Sequence, residues 1–288
     1  MQVDSFGAVL AAFQSRFDQE VLDATVTHWA TRQHESVGQH PLCVADVPYG
    51  SHERHRLDIF PVSAQGTPVV LFVHGGGFVG GDKRLFTPFY ENVGYYLASH
   101  GVMTATMNYR LAPTGGWPAA AEDIEAAVEW LLGQAAFYGG SPKRIVLVGQ
   151  SAGACHVASW LFDPLFAKGR RSEIRGAALL SGFYFAEAPL SPGQKAYFGG
   201  DPTVYRERSP LTHVHPLTDS ILVSLAEYDP PALRKQALQM VEALRRVGVT
   251  PVVHDLVGHN HVSPLMSLGS DVDSVGQLVR RFIQRASV

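Results

Sequence analysis

The chain carries only two cysteines in 288 residues, Cys43 and Cys155. That is too few for a disulfide framework, so a reducing compartment is the expectation. Basic residues are not in excess: 23 Lys and Arg stand against 26 Asp and Glu, for a formal net charge of −3. No Lys/Arg run is present that would track a phosphate backbone, so nucleic acid is not an expected partner. No apolar run approaches the roughly 18 residues that cross a bilayer, which leaves no membrane partner in view. Met1–Phe6 has neither the basic nor the apolar region of a signal peptide, so the expected location is cytoplasmic. His213 and His215 form an H-x-H pair without a third ligand, so no metal and no cofactor are expected. Internal repeats and low-complexity segments are missing too.

What the chain does have is apolar residues, at 46%, and a regular alternation of elements. From Phe6 to about Val37 the apolar positions Phe13, Phe17, Val21, Leu22, Val26 and Trp29 fall at helical spacing. Cys43–Val47 and Leu57–Phe60 predict a short antiparallel hairpin. Wholly apolar strands then follow at Val69–Val73, Val102–Met107, Arg144–Val148, Gly176–Leu180, Ser220–Leu225 and Pro251–Leu256. Helices are expected between them at Phe86–His100, Pro118–Phe137, Ala152–Leu161 and Pro231–Val247, with a last one at Val272–Ala286. Strands without a polar face, alternating with helices, predict an α/β fold. Its mostly parallel central sheet would be covered by helices on both faces. The expected organisation is one domain over residues 1–288, with a helical cap segment at 1–40. Residues 181–219, rich in Pro, Gly and aromatics, break the rhythm and read as a lid-like insertion.

The run Gly149-Gln150-Ser151-Ala152-Gly153 joins a buried strand to a helix. Flanking glycines let the backbone turn sharply there and thrust a serine hydroxyl outward beside a helix N-terminus, in the manner of a nucleophile elbow. Serine is a poor nucleophile at its own pKa and needs a base, which in turn needs an orienting group. In the chain order Ser, acid, His, the acid should follow a later strand and the base the last one. Asp229 and Glu227 both follow Ser220–Leu225. Asp229 is preferred by its short loop after the strand, with a helix N-cap as the competing explanation. His259 and His261 both follow the last strand. His74-Gly75-Gly76-Gly77-Phe78 ends the first parallel strand, where backbone N–H groups of Gly76 and Gly77, with that of Ala152, could hold an oxyanion. Phe78, Trp117, Phe183 and Tyr184 are candidate pocket residues, with core packing the competing explanation for each. His74 is read as a brace of the glycine loop, Arg110 as a structural ion pair and Cys155 as a buried small hydrophobe.

These motifs together resemble the esterase/lipase branch of the α/β-hydrolases, over roughly Val44 to Phe282. Tyr109-Arg110-Leu111-Ala112-Pro113 and Gly258-His259-Asn260-His261 belong to the same likeness. Gly80-Gly81-Asp82-Lys83, and Asp229-Pro230-Pro231 followed by Arg234-Lys235-Gln236, narrow it to arylformamidases (kynurenine formamidases) and small carboxylesterases. In that branch the catalytic His closes a G-x-x-H pattern, which implies His261. Gln150 stands where lipase-like relatives carry Asp, and Thr114 where they carry Glu. The resemblance implies a serine hydrolase with the triad Ser151, Asp229 and His261, cleaving small carboxylic esters through an acyl-enzyme. The alternative is an arylformamidase or amidase acting on N-formyl aromatic amides such as N-formylkynurenine. A non-catalytic binding protein on a hydrolase scaffold would be expected to lack a triad member. The expected partner is a small-molecule ester or amide, with the chain acting alone or as a homodimer.

Overall fold

The computed structural model describes residues 5–33, 43–85, 88–166 and 171–287. The hairpin β1 (Val44–Pro48) and β2 (Arg56–Phe60) leads into β3 (Thr67–Val73). From there strands and helices alternate: α3 (Glu91–Ser99), β4 (Met103–Met107), α4 (Ala119–Gln134), β5 (Gly140–Gln150), α5 (Ala152–Phe162) and β6 (Ile174–Leu180). After α6 (Pro192–Phe198) come β7 (Ser220–Tyr228), α7 (Pro231–Arg246), β8 (Val252–Asn260), α8 (Ser263–Met266) and α9 (Ser274–Ala286). Ahead of them all lie α1 (Ser5–Phe13) and α2 (Gln19–Ala30). The strands form one eight-stranded sheet in the order β1-β2-β4-β3-β5-β6-β7-β8. Only the β1–β2 and β2–β4 pairs are antiparallel. This is the α/β-hydrolase fold.

Side chains on successive strand positions point to opposite faces, and in the central strands β3, β4 and β6 both faces are buried. In β3, Val69, Leu71 and Val73 join a core with Ile124 and Val128 of α4, Trp160 of α5 and Met240 of α7. Val70 and Phe72 join another with Val93 and Leu97 of α3 and Val279 and Phe282 of α9. Each fully buried aliphatic or aromatic side chain contributes roughly 1.5–3 kcal/mol, which accounts for strands that are apolar throughout. Strand order reverses at β3, which lies between β4 and β5. The carboxyl ends of β3 and β5 therefore open a crevice where sites form in such sheets. Among the described residues no helix is long and apolar enough to cross a membrane.

Three stretches sharpen the pattern read in the sequence. The N-terminal helical stretch is two helices, parted where Gln14 turns to φ 51° and Asp18 caps α2 by accepting from the Val21 N–H. Positions 1–4 and 34–40 of the expected cap segment lie outside the described residues. The helix expected from Phe86 starts at Glu91, because Tyr90 sits at φ 66°, outside helical space; Phe86 and Thr87 lie outside the described residues. The aperiodic stretch 181–219 contains α6, closed at its start by a capping box of Ser191 and Gln194 with Pro192 at the first helical position. The S-x-x-Q spacing is a helix-start signal that was present in the sequence.

The loop after β3 is fixed by buried charge. Lys83, 2% exposed, pairs with Asp58 at 3.0 Å and with Asp46 at 2.6 Å. Arg84 Nε and Nη2 donate to the two oxygens of Asp58 at 2.7 and 2.8 Å. The Lys83 N–H donates to Asn108 Oδ1 at 2.7 Å, and Asn108 Nδ2 to Asp82 at 2.7 Å. The Gly80–Lys83 segment is thereby tied to β2 and to the end of β4. Removing one partner of a buried pair leaves the other charge uncompensated. Asp58→Ala is therefore expected to destabilise the fold by roughly 3–5 kcal/mol, measured by chemical denaturation; a loss below about 1 kcal/mol would contradict this.

Candidate active site

Ser151 occupies the turn between β5 and α5 with φ 55° and ψ −119°. A residue other than glycine rarely adopts positive φ, and such strain gathers at functional sites. The two glycines of the pentapeptide are needed for close approach. A Cβ on Gly153 would lie 2.1 Å from the Val73 carbonyl oxygen, and one on Gly149 would lie 2.6 Å from that of Gly153. Without side chains at both positions, α5 lies directly against the ends of β3 and β5. The Ala154 and Cys155 N–H groups donate to the Ser151 carbonyl, which leaves those of Ala152 and Gly153 without an acceptor inside the helix.

The ends of β7 and β8 bring two more side chains to Ser151. Its Oγ lies 2.8 Å from His261 Nε2, and His261 Nδ1 lies 2.7 Å from Asp229 Oδ1. Asp229 is 1% exposed. Its second oxygen accepts from the Ser181 hydroxyl at 2.6 Å and from the Ala226 N–H at 2.7 Å. The carboxylate is thus fully engaged and held in one orientation. Glu227 is directed elsewhere and accepts from the Gly258 N–H at 2.8 Å. His259 turns away as well: its Nδ1 meets Ser263 Oγ at 2.9 Å, and its ring stacks on Trp29 with centroids 5.9 Å apart. Sequence spacing gave no sign of Ser181. It directly follows β6, which lies between β5 and β7, so only strand order discloses its reach to Asp229.

The glycine loop after β3 folds back over the serine. Gly76 and Gly77 lie at φ 138° and 60°, and Phe78 at 74°. A Cβ on Gly76 would lie 2.0 Å from the Gly80 carbonyl oxygen. His74 underpins the loop. Its Nδ1 is 2.6 Å from the Gly75 carbonyl, which can only accept, so that nitrogen carries the proton. The ring stacks on Tyr109 at 4.4 Å, and the Tyr109 hydroxyl donates to the His74 carbonyl at 2.8 Å. Arg110 donates to Asp123 from Nε at 2.8 Å and pairs with Glu122 at 2.9 Å.

These parts surround a cavity of about 480 Å³. Ser151, His261, Ala152, Gly76 and Gly77 line it, together with Phe78 and Phe183. Trp117 and Tyr184 do not. Tyr184 is fully buried in the core, and Trp117 packs under the Arg208 guanidinium, 5.2 Å from its ring. The rest of the wall is mostly apolar and includes Phe17, Leu22, Leu85, Leu233 and Val262. No Asp, Glu, Lys or Arg lines it among the described residues. Phe17 comes from the α1–α2 connection and meets the His261 ring edge-on at 4.8 Å. Read in the sequence as one of several apolar positions at helical spacing, it gave no hint of this role. Helix α2 is itself tied to the base loop, because Asn260 Nδ2 donates to Thr25 Oγ1 at 2.8 Å.

Residues 118–284, more than half of the chain, match the profile of the prolyl oligopeptidase family, and residues 57–161 match the profile described as BD-FAE. A probable isoprenylcysteine alpha-carbonyl methylesterase of Oryza sativa subsp. japonica is 40% identical over 115 residues. The match covers 39% of this chain and only 26% of that protein, so the chain spans about a quarter of its length. Kynurenine formamidase of Danio rerio is 25% identical over 254 residues, covering 84% of this chain and 82% of that one. A solved esterase of Pyrobaculum calidifontis superposes with a TM-score of 0.74 at 20% identity, covering 99% of both chains, a likeness of fold.

Burial also gives the site a pH limit. It lowers His74 and His259 from the ordinary 6.5 to about 4, and His156, beneath the glycine loop, to about 3. All three are neutral in the fold, whereas the unfolded chain protonates them near 6.5. The unfolded state therefore binds more protons below that value. Stability from these groups is fully present above about pH 6.5 and is lost as pH falls toward 4. The melting temperature is expected to decline steadily from pH 7 to pH 4.5; a flat profile over that range would contradict the neutral assignment.

Proposed function

Because this chain belongs to the prolyl oligopeptidase family, we propose that it is a serine hydrolase that cleaves small carboxylic esters through an acyl-enzyme. The observation that carries this reading is the continuous line from Ser151 Oγ through His261 to Asp229, with contacts of 2.8 and 2.7 Å, at the edge of an uncharged cavity. Ser151 Oγ attacks the acyl carbonyl carbon while His261 Nε2 takes its proton. Asp229 accepts from Nδ1–H, which fixes the tautomer and stabilises the imidazolium. The carbonyl oxygen becomes an oxyanion facing the N–H groups of Gly76, Gly77 and Ala152. Losing one such donor costs about 10²- to 10³-fold in rate. His261 then returns its proton to the leaving alcohol as the tetrahedral adduct collapses. Water, activated by the same imidazole, attacks the acyl-serine and releases the acid.

The cavity supports a substrate of modest size. Its volume of about 480 Å³ lies in the lower half of the usual range for small-molecule sites. Phe17 and Leu22 of the N-terminal segment and Phe183 of the 181–219 stretch help to enclose it. A formamidase is the second reading, favoured by a relative of that activity that aligns along most of both chains. The same serine, base and oxyanion donors can act on an N-formyl amide, with the base protonating an amine in place of an alcohol.

The reading is tested on p-nitrophenyl esters of increasing chain length beside N-formylkynurenine. Acetate and butyrate are expected to give kcat/KM at least about tenfold above decanoate, and Ser151→Ala to lower kcat by at least about 10³-fold. Equal cleavage of decanoate would overturn the size argument, and retained activity in Ser151→Ala the nucleophile. A kcat/KM on N-formylkynurenine above that on every ester would give the second reading precedence.

A further inference from the structure

We propose that Gln150 is a positioning residue for the base: its amide fastens the backbone of His261 to the nucleophile strand and the oxyanion loop. The proposal rests on the serine-hydrolase reading above. Gln150 is 3% exposed at the carboxyl end of β5, directly before Ser151. Its Nε2 donates to the His261 carbonyl at 3.0 Å, and its Oε1 accepts from the Tyr90 hydroxyl at 3.2 Å. The same Oε1 packs on Gly75, where a Cβ would lie 2.3 Å away. One side chain thus touches the residue that carries the base, the glycine loop and the cavity wall, and its own backbone precedes the nucleophile.

The direction of the amide is dictated by its neighbours. The His261 carbonyl can only accept, so the NH₂ end faces it, which leaves the oxygen to Tyr90. The loop needs this hold because His261 lies just past β8, whose register with β7 ends at Tyr228–Asn260. From the outer side Asn260 secures it: its Oδ1 accepts from the Ser263 N–H at 3.0 Å, and its Nδ2 donates to Thr25. Gln150 secures it from within. A carboxylate at position 150 has no proton to donate. Aspartate, which the esterase/lipase resemblance leads one to expect there, is also one methylene shorter. Either acid would set oxygen against oxygen where the structure has a hydrogen bond. Glutamine here has both the reach and the donor that the carbonyl requires.

Gln150→Met keeps the length and removes the donor, while Gln150→Glu keeps the shape and makes donation depend on protonation. Displacing reacting groups by about 1 Å costs on the order of 10²-fold. Gln150→Met is therefore expected to lower kcat, and the rate of fluorophosphonate labelling of Ser151, by about 10- to 100-fold, with KM within about twofold. In Gln150→Glu the protonated carboxyl still donates, and burial raises its pKa. Its kcat/KM should gain a descending limb on raising pH through the neutral range, absent from the wild type and from Gln150→Met. The titratable groups facing that carboxyl are His261 and Tyr90, with the His74 ring stacked beyond Tyr90 at 6.4 Å. Burial pushes Tyr90 up to about 12, so neither it nor the neutral His74 supplies a limb in that range. Should Gln150→Met fail to fold, the Gln150→Glu profile decides. Wild-type kcat and labelling in Gln150→Met, or a wild-type pH profile in Gln150→Glu, would overturn the proposal. A wild-type protein that resists fluorophosphonate would instead overturn the serine-hydrolase reading beneath it.

Discussion

The site depends on holding one imidazole, that of His261, between a hydroxyl and a buried carboxylate. Each neighbour comes from a different strand end, so the contact exists only when β5, β7 and β8 keep their order and register. The sheet enforces both through side chains packed on two dry faces. The crevice at the strand-order reversal places the glycine loop of β3 directly across from the serine. Fold and site are joined there: the same close packing that demands Gly149 and Gly153 brings the start of α5 to Ser151.

Electrostatics follow from that arrangement. Asp229 is shielded from water but accepts hydrogen bonds from Ser181, Ala226 and His261, so its charge is compensated by fixed donors. Asp229 lies behind the cavity, and among the described residues no Asp, Glu, Lys or Arg lines it. The larger charges lie behind the glycine loop, where Lys83, Arg84, Asp46 and Asp58 form a cluster that fixes the loop's base without facing the substrate space. His74 adds a neutral brace. In the proposed reaction, a proton moving from Ser151 to His261 meets one preorganised counter-charge in surroundings that reorganise little.

Much of this was legible in the sequence because its signals are local. Apolar runs bounded by glycine and proline disclose strands, and the spacing Gly149-Gln150-Ser151-Ala152-Gly153 discloses a turn with one exposed hydroxyl. What stayed hidden depends on neighbours distant in sequence. Ser181 meets Asp229 only because β6 lies beside β7. Phe17 reaches His261 only because the chain turns between α1 and α2 and α2 is tied to Asn260. Trp117 and Tyr184 have the apolar character of pocket residues, yet character alone cannot tell a cavity wall from the layer behind it. Gln150 was visible as a departure from the lipase pattern, but its purpose required knowing which carbonyl lay opposite.

The central claim is that Ser151 carries the acyl group during turnover. Acid quenching of the enzyme during steady-state cleavage of p-nitrophenyl acetate, followed by peptide mass spectrometry, tests it most directly. The expected result is acetyl on the peptide bearing Ser151, formed within the first turnover and absent when Ser151 is alanine. Acetyl on another residue, or burst release of p-nitrophenol without any acetylated Ser151, would contradict it.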